Sequence, residues 1–365
     1  ASMDQRRDDL ARWAADAIRR HASSTTDSQD TAQAEFDVTM VSGDASFRRY
    51  FRLHYKEFSW IAVDAPPDKE DNPRFVAIAR SWRDHEVAVP RVIDHDFERG
   101  FMLLEDFGDQ ILWPALHQED TSLAQVREYY RQAIRQLLHI QTLPLKNLPA
   151  YDAVLLDTEM SLFPQWLCEQ QLNLTLTRGE QAMLGRTFAL LKERALAQRQ
   201  VEVHRDFHSR NLMLRNSGEL GVIDFQDAVA GPATYDLVSL LRDCYVRWPA
   251  SLVDELAADY WEEARPLGVY LAGWEEFQRD FDWMGMQRHL KAAGIFARLN
   301  LRDGKPGYLA DIPNTCQYLL EISRGYSELA GFSEWLNERV MPALEQLRPL
   351  MPSGHESHQR DSSAE

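Results

Sequence analysis

The residues of this chain that could carry chemistry are concentrated between positions 201 and 227. Three aspartates, two asparagines and two histidines stand there among short apolar runs. The runs Leu212–Leu214 and Val222–Ile223 are separated by Asn216–Gly218, a combination typical of a tight turn between two strands. The pattern therefore predicts a β-hairpin with polar side chains at its two ends.

The spacing of three of these polar residues indicates phosphoryl transfer. Residues 204–211 match the pattern HRDxxxxN, in which the aspartate accepts a hydroxyl proton and the asparagine reaches a divalent ion. A carboxylate beyond the hairpin would complete the metal site, because Mg²⁺ prefers hard oxygen ligands. We therefore predict Asp206 as the base and Asn211 and Asp224 as metal ligands. The alternative is that these residues only cap a loop and a turn.

With these motifs, residues 36–345 resemble the aminoglycoside phosphotransferase and choline kinase superfamily, a relative of the protein kinases. The resemblance implies an α+β, bilobal, protein-kinase-like fold with a small antiparallel β N-lobe and a mainly helical C-lobe. It implies ATP and Mg²⁺ as cofactors and Asp206, His208, Asn211 and Asp224 as catalytic residues. His208 would donate a hydrogen bond to the transferring phosphate; alternatively it is a loop residue satisfied by the backbone.

Segments outside the shared catalytic core suggest a narrower resemblance. They are similar to bacterial cell-wall sugar kinases that phosphorylate N-acetylmuramate and N-acetylglucosamine at the anomeric C1 hydroxyl. That implies a sugar 1-phosphate product for peptidoglycan recycling. Two alternatives are a kinase of another small alcohol, such as an aminoglycoside or a choline-like compound, and a non-catalytic kinase-like binding protein. The segments are VSGDASFRRYFRL, VDAPPDKED, LLEDFGD and QRHLKAAGIFARLNLRDGKPGYLADIP.

The nucleotide site must be of another type than the P-loop or Rossmann kind, because neither GxxxxGK[ST] nor GxGxxG occurs. Residues 42–49 lie between two predicted strands and could fold over phosphates with their backbone N–H groups. A simple hairpin turn is the alternative. Residues 103–107 resemble the kinase hinge whose backbone contacts adenine. The predicted nucleotide-binding residues are Ser42, Gly43, Asp44, Ser46, Phe47, Arg48, Arg49, Glu105 and Phe107.

One departure from the kinase pattern concerns the phosphate lysine. The strand that should carry it, Trp60–Asp64, has none, and Lys56 lies in the preceding turn. Arg48, Arg49 and Arg52 are candidates to replace it, although an arginine on a solvated strand face is the commoner case.

An acceptor with a carboxylate, such as N-acetylmuramate, would favour a fixed cation, and a guanidinium suits a carboxylate best. The predicted substrate-binding residues are Arg210, Arg288, His289 and Lys291. The alternative for each is a place on a solvated helix face. We expect Asp236, in TYDL, to brace the catalytic loop at a helix start.

Periodicity predicts the elements that would hold these residues. A helix at 4–22 precedes a polar linker, three strands follow between Phe36 and Pro66, and a helix at 72–84 precedes two more strands. Later helices are predicted at 122–143, from the capping box at Thr177, and near Tyr235, Leu252 and Trp274. The predicted divisions are an N-terminal helix and linker (1–35), a nucleotide-binding N-lobe (36–106), a helical C-lobe (107–351) and a disordered tail (352–365).

Composition limits the class of function. The chain has 365 residues and a formal net charge of −17, which opposes nucleic-acid binding because that requires clustered cations. Three widely spaced cysteines form no metal motif, so we expect reduced core thiols. No run of about 18 apolar residues occurs. We expect a cytoplasmic monomer whose partners are a sugar and a nucleotide, without membrane association.

Overall fold

The computed structural model describes residues 3–22, 35–43, 47–145 and 148–347. It divides into two compact units: Ala1–Ala115 with Leu212–Gln226, and Leu116–Asn211 with Asp227–Glu365. The predicted tail, 352–365, and most of the predicted linker before residue 35 lie outside the described residues.

The first unit contains a five-stranded antiparallel sheet in the order β1-β2-β3-β5-β4. Strand β2 places Phe51 and Leu53 on the buried face, and Arg52 between them points elsewhere, as expected for the two-residue period of a strand. The predicted helices and strands of this part are confirmed. They are α1 (Met3–Ala22), β1 (Asp37–Gly43), β2 (Arg49–Tyr55), β3 (Phe58–Asp64), α2 (Asn72–Asp84), β4 (Val92–Asp96) and β5 (Phe101–Glu105).

Helix α1 packs its apolar stripe on this sheet. Leu10, Ala14 and Ala17 are buried there, and the Trp13 and Phe101 ring centres are 5.9 Å apart. The polar side of α1 is also anchored, since Arg6 donates to the buried Asp64 carboxylate at 2.6 Å. The helix is therefore part of the core of this unit.

The predicted hairpin is confirmed and belongs to the first unit. Strands β7 (Leu212–Leu214) and β8 (Leu220–Val222) pair antiparallel, and Gly218 in the turn has φ of +83°. Gly221 allows the hairpin to approach Phe107 closely, because a Cβ there would lie 2.6 Å from the ring. The Leu214 N–H donates to the Gln110 carbonyl at 2.7 Å, which fixes the hairpin to its neighbours.

The second unit is mainly helical. Its central helix, α9, has 28 residues and is buried on most sides. The predicted helices are confirmed, and Thr177 and Glu180 form the predicted capping box. After a short helix α3 (Leu112–Leu116) at the division come α4 (Leu123–Gln141), α5 (Ala153–Leu162) with a π-helical continuation (Phe163–Gln171), α6 (Arg178–Ala197), β6 (Gln200–Val203), β9 (Val229–Pro232), α7 (Tyr235–Leu241), α8 (Ala250–Ala264), α9 (Trp274–Leu301), α10 (Ile312–Ser323), α11 (Ala330–Trp335) and α12 (Met341–Leu347).

Two further observations concern predicted properties of the chain. Cys168, Cys244 and Cys316 are free and buried, as predicted. Within the described ranges, no helix combines the length and the apolar character needed to cross a membrane.

Candidate active site

The predicted catalytic loop runs from the end of β6 to a 3₁₀ turn at Ser209–Asn211. The Asp206 carbonyl accepts hydrogen bonds from the Asn211 side-chain amide at 2.9 Å and from the His208 N–H at 3.0 Å. The Asn211 N–H in turn donates to the His208 carbonyl at 2.9 Å. Asp206 and Asn211 are thus brought together, with Asn211 buried and Asp206 half-buried.

Asp236, the second residue of α7, braces this loop as predicted. Its buried carboxylate accepts the backbone N–H groups of His204 at 2.7 Å and Arg205 at 3.0 Å. Burial raises the pKa of Asp236, although His204 and the two N–H groups act in the opposite direction. Arg205 itself has φ of +86°, in the left-handed region that favours glycine.

Asp224 lies in the first unit, two residues after β8. Its φ is +62°, and its Oδ1 accepts a hydrogen bond from the Gln226 side chain at 2.5 Å. The next residue, Phe225, anchors this turn because its ring stacks on Phe75 with centres 5.0 Å apart. The three predicted catalytic carboxylate and amide groups are therefore divided between the two units.

The predicted metal ligands have suitable chemistry. Asn211 uses its side-chain N–H on the Asp206 carbonyl, so its Oδ1 remains as an oxygen donor, and Asp224 supplies a carboxylate. Both are hard ligands of the kind Mg²⁺ prefers. Outside this set, the described residues contain no group of three or more His, Cys, Asp or Glu side chains that could hold a metal.

The predicted nucleotide-binding residues are only partly described. Ser42 and Gly43 end strand β1, whereas Asp44 and Ser46 lie outside the described residues. Phe47 is exposed, and the Lys69 ammonium lies 5.2 Å from its ring centre.

The three arginines proposed to replace the phosphate lysine contact carboxylates. Arg48 is buried with Nε 3.7 Å from Glu70 Oε2. Arg49 Nη2 lies 2.7 Å from Asp64 Oδ2, and Arg52 Nε lies 2.6 Å from Asp106 Oδ2. Their role toward a nucleotide stays a prediction, and each now has an identified partner that would compete for it.

The two side chains of the predicted hinge also have partners within the first unit. Glu105 Oε1 accepts from Arg83 Nη1 at 2.7 Å and from the Arg91 N–H at 3.1 Å. The Phe107 ring is covered by the Arg215 guanidinium, whose Cζ is 4.2 Å from the ring centre. Because both side chains already have partners, nucleotide binding by the hinge is expected through its backbone. That binding remains a prediction.

The predicted acceptor residues on α9 are buried, so the alternative of a solvated face is wrong for them. Arg288, His289 and Lys291 are 3%, 1% and 6% exposed. His289 Nε2 lies 3.0 Å from the Arg242 carbonyl, and Arg288 Nη1 lies 3.9 Å from Cys244 Sγ. Arg210, in the catalytic loop, stacks on Tyr245 with Cζ 4.5 Å from the ring centre.

Lys291 belongs to a charged cluster that the sequence did not reveal. Its Nζ lies 3.2 Å from Glu159 Oε2 and 3.2 Å from the Tyr235 hydroxyl. Arg205 Nη2 donates to the same Glu159 oxygen at 3.1 Å. Glu159 lies on α5, in a segment without any motif, so no sequence signal pointed to it.

His208 is completely buried in this part of the second unit. Its ring centre lies 6.2 Å from that of Tyr245. A role of its ring toward the phosphate stays a prediction, whereas its backbone N–H helps to shape the loop at Asp206.

Comparison with known proteins agrees with this architecture. The model of the family described as "Phosphotransferase enzyme family" matches residues 37–274. An N-acetylmuramate/N-acetylglucosamine kinase of Pseudomonas putida is 43% identical over 303 residues, covering 82% of this chain and 88% of that protein. A kinase of the same name from Neisseria meningitidis is 42% identical over 311 residues, covering 84% and 92%.

Solved structures show the same fold at low sequence identity. The choline kinase LicA from Streptococcus pneumoniae is 12% identical with a TM-score of 0.55, covering 82% of this chain and 99% of that chain. The ADP-bound aminoglycoside phosphotransferase APH(2'')-Ib is 15% identical with a TM-score of 0.53, covering 80% and 97%. The predicted α+β, kinase-like fold is therefore confirmed.

Proposed function

Because the chain belongs to the phosphotransferase enzyme family, we propose that it transfers a phosphoryl group from ATP to the anomeric C1 hydroxyl of N-acetylmuramate and N-acetylglucosamine. Relatives at 42–43% identity over more than four fifths of this chain are kinases named for these two sugars, and this chain is a small-molecule kinase like them. The observation that carries the chemistry is the loop in which Asn211 and Asp236 hold the backbone around Asp206.

Asp206 acts as the base in this proposal. Its half-buried carboxylate accepts the proton of the C1 hydroxyl while that oxygen bonds to the γ-phosphorus. The bond from the γ-phosphorus to the bridging oxygen breaks, and ADP leaves with the electron pair. The anomeric hydroxyl is more acidic than an ordinary alcohol, which makes this proton transfer easier. Positioning supplies much of the rate, since the loop holds Asp206 before substrate arrives.

We assign Asn211 and Asp224 to Mg²⁺. A bound Mg²⁺ would neutralise charge on the phosphates, a need that is acute in a protein with a net charge of −17. Asn211 supplies its amide oxygen and Asp224 its carboxylate, both of which other contacts leave available as oxygen donors. The segment 42–49 would contact the phosphates of the nucleotide through Ser42, Gly43, Asp44, Ser46, Phe47, Arg48 and Arg49. The backbone near Glu105 and Phe107 would contact the adenine ring.

The acceptor would be bound in the second unit, where Arg210, Arg288, His289 and Lys291 lie. Burial acts to lower the pKa of Lys291, but Tyr235 and Glu159 raise it, so the ammonium stays charged. A charged group held without bulk water attracts an anionic acceptor more strongly than an exposed one. We also propose that the sugar 1-phosphate is released in the cytoplasm and is used there in peptidoglycan recycling.

The test is direct. The protein is incubated with ATP and Mg²⁺ and either sugar, and the products are separated by ³¹P NMR, which distinguishes a phosphate on C1 from one on C6. We expect a sugar 1-phosphate with both. A panel of choline, ethanolamine and an aminoglycoside serves as the comparison. Turnover of a panel compound without turnover of either sugar would assign the enzyme to another acceptor.

A further inference from the structure

Arg205 occupies a backbone position that suits glycine. Its φ of +86° is unfavourable for a residue with a Cβ. The strain is maintained by Asp236, whose carboxylate holds the Arg205 N–H at 3.0 Å. We therefore expect the Arg205 side chain to have a role that offsets the cost of this backbone conformation.

The Arg205 side chain turns toward Glu159 and is still reachable. Arg205 Nη2 and Lys291 Nζ lie 3.1 Å and 3.2 Å from the same oxygen, Glu159 Oε2. Arg205 retains 23% of its side-chain exposure, whereas Glu159 retains 9% and Lys291 8%. Among the described residues, Glu159 is its one side-chain hydrogen-bond partner, although a guanidinium carries five N–H donors.

Tyr235 lies among charged side chains, with Arg288 Cζ 6.0 Å and Lys291 Nζ 5.9 Å from its ring centre. Three cations, Arg205, Arg288 and Lys291, act on its ring together with one carboxylate, Glu159. Asp206 also acts on Arg205 and Lys291, and Asp227 acts on Arg205 but is exposed and therefore screened. Three cations are thus gathered beside the catalytic loop, together with the carboxylates of Glu159, Asp206 and the buried Asp236.

We infer that Arg205, with Lys291 behind it, binds the carboxylate of an anionic acceptor and so distinguishes N-acetylmuramate from the neutral N-acetylglucosamine. This rests on the proposed function. A guanidinium binds a carboxylate with two parallel hydrogen bonds, which an ammonium cannot do. Arg205 directly precedes Asp206 in the loop, and in this proposal one acceptor molecule contacts both side chains.

The other candidate cations are less suited to this task. Arg288 and His289 face Cys244 and the Arg242 carbonyl. Arg210 lies flat on the Tyr245 ring. Arg205 is more exposed than Arg288 and His289. Among these four residues, it is the one with a left-handed φ, which is unfavourable for an arginine.

The experiment compares Arg205→Gly with Arg205→Ala and measures kcat/KM for both sugars. We expect both variants to lose about 10- to 100-fold more kcat/KM with N-acetylmuramate than with N-acetylglucosamine, as for loss of hydrogen bonds between charged groups. Arg205→Gly removes the backbone strain and Arg205→Ala keeps it, so the glycine variant should have the higher Tm. Lys192→Gln, which removes a half-buried cation paired with Asp157, is the charge control and should not change the ratio.

Three outcomes would overturn the inference. An equal loss with both sugars would make Arg205 a positioning residue for Asp206, and no loss with either sugar would show that it does not meet the carboxylate. Calorimetric titration of each folded variant must also show weaker binding of N-acetylmuramate than in the wild type, or the inference fails. A wild-type protein that phosphorylates neither sugar would contradict the proposed function itself, whereas wild-type turnover of both with an unchanged ratio in Arg205→Gly contradicts this inference alone.

Discussion

The carboxylate of Asp236 holds the backbone N–H of Arg205 at 3.0 Å while Arg205 keeps a left-handed φ of +86°. The first turn of α7 thereby sets the direction in which the chain enters the catalytic loop. Because Asp206, the proposed base, is the next residue, its orientation depends on the Asp236 side chain. Loop geometry in this protein is thus determined from outside the loop.

Asp236→Asn should impair turnover with little effect on substrate binding. The amide has one accepting oxygen instead of two, so one of the two loop N–H groups loses its partner. We expect kcat to fall about 10- to 100-fold and stability to fall by about 1–3 kcal/mol. Steady-state kinetics and urea unfolding would measure these. Asp259→Asn, which alters a half-buried partner of Arg131, is the control and should change neither.

Asp206→Ala should abolish turnover of either sugar and leave nucleotide binding largely intact. General-base catalysis contributes about 10²- to 10⁴-fold, so residual activity near the limit of detection is expected. Activity assays and calorimetric titration with a non-hydrolysable ATP analogue would separate the two effects. Asp157→Asn, at a partly buried ion pair in the same unit, is the control. Turnover close to that of the wild type would remove Asp206 from the mechanism.

Asp224→Ala should weaken nucleotide binding in a way that depends on Mg²⁺. If Asp224 is a metal ligand, its loss lowers the affinity for the metal-nucleotide complex and has a smaller effect on metal-free nucleotide. Titrations with nucleotide in the presence and absence of Mg²⁺ would show the difference. Asp206→Ala is the comparison and should retain the affinity for the metal-nucleotide complex. The same loss of affinity in both conditions would instead indicate a structural role for the strained turn at φ +62°.

Gly294→Ala should destabilise the second unit. A Cβ at Gly294 would lie 2.4 Å from the Leu162 carbonyl carbon, so α9 and α5 would have to separate. We expect a loss of about 1–3 kcal/mol in the free energy of unfolding. Gly285→Ala on the same helix is a matched control, because its nearest contact is an ordinary 3.5 Å to Val238. Alanine favours a helix over glycine, so that variant should be neutral or stabilised. Equal Tm values for the two variants would contradict the packing argument.

Glu180 should make stability depend on pH in the acid range. Burial acts to raise the pKa of Glu180, but hydrogen bonds from Arg339, Thr177 and Trp335 lower it to about 2. The pKa of Glu180 in the folded protein is thus below its ordinary value of 4.5, so its contribution to stability is present above about pH 4.5 and is lost as the pH falls toward 2. Glu180→Gln should cost about 1–2 kcal/mol at neutral pH and progressively less below pH 4.5.

Urea unfolding of wild type and Glu180→Gln at a series of pH values would test this. Glu334→Gln, on the exposed side of α11, is the control and should show no such convergence. A difference between wild type and Glu180→Gln that stays constant from pH 7 to about 2.5 would show that the carboxylate charge is not what links α6 to Trp335 and Arg339.

Local features of the chain were sufficient for the elements and for the catalytic loop. The hairpin follows from apolar runs around Asn216–Gly218, and the start of α6 follows from Thr177 and Glu180. Such signals depend on a few neighbouring residues, so they can be recognised without knowledge of the fold. The bracing by Asp236 was also predictable, because a carboxylate at a helix start readily accepts backbone N–H groups.

Side-chain partners over long separations were not predictable. Arg49 and Arg52 appear on their strand as free cations, yet each meets a carboxylate supplied by another strand or by the segment after one. On α9, Arg288, His289 and Lys291 suggest a solvated face by type alone, but surrounding helices bury them. Burial of a charge depends on what packs around it, which periodicity does not specify for a helix covered on most sides.

By itself, the sequence determined that Asp206, Asn211 and Asp224 stand at fixed spacings around one hairpin, and that a small sheet precedes a helical half. Only the tertiary structure decided that Arg205 adopts a left-handed backbone and shares Glu159 with Lys291. The reason is physical. Spacing along the chain is a covalent property, whereas a shared carboxylate between residues 46 and 132 positions apart exists only after the helices that carry them have packed.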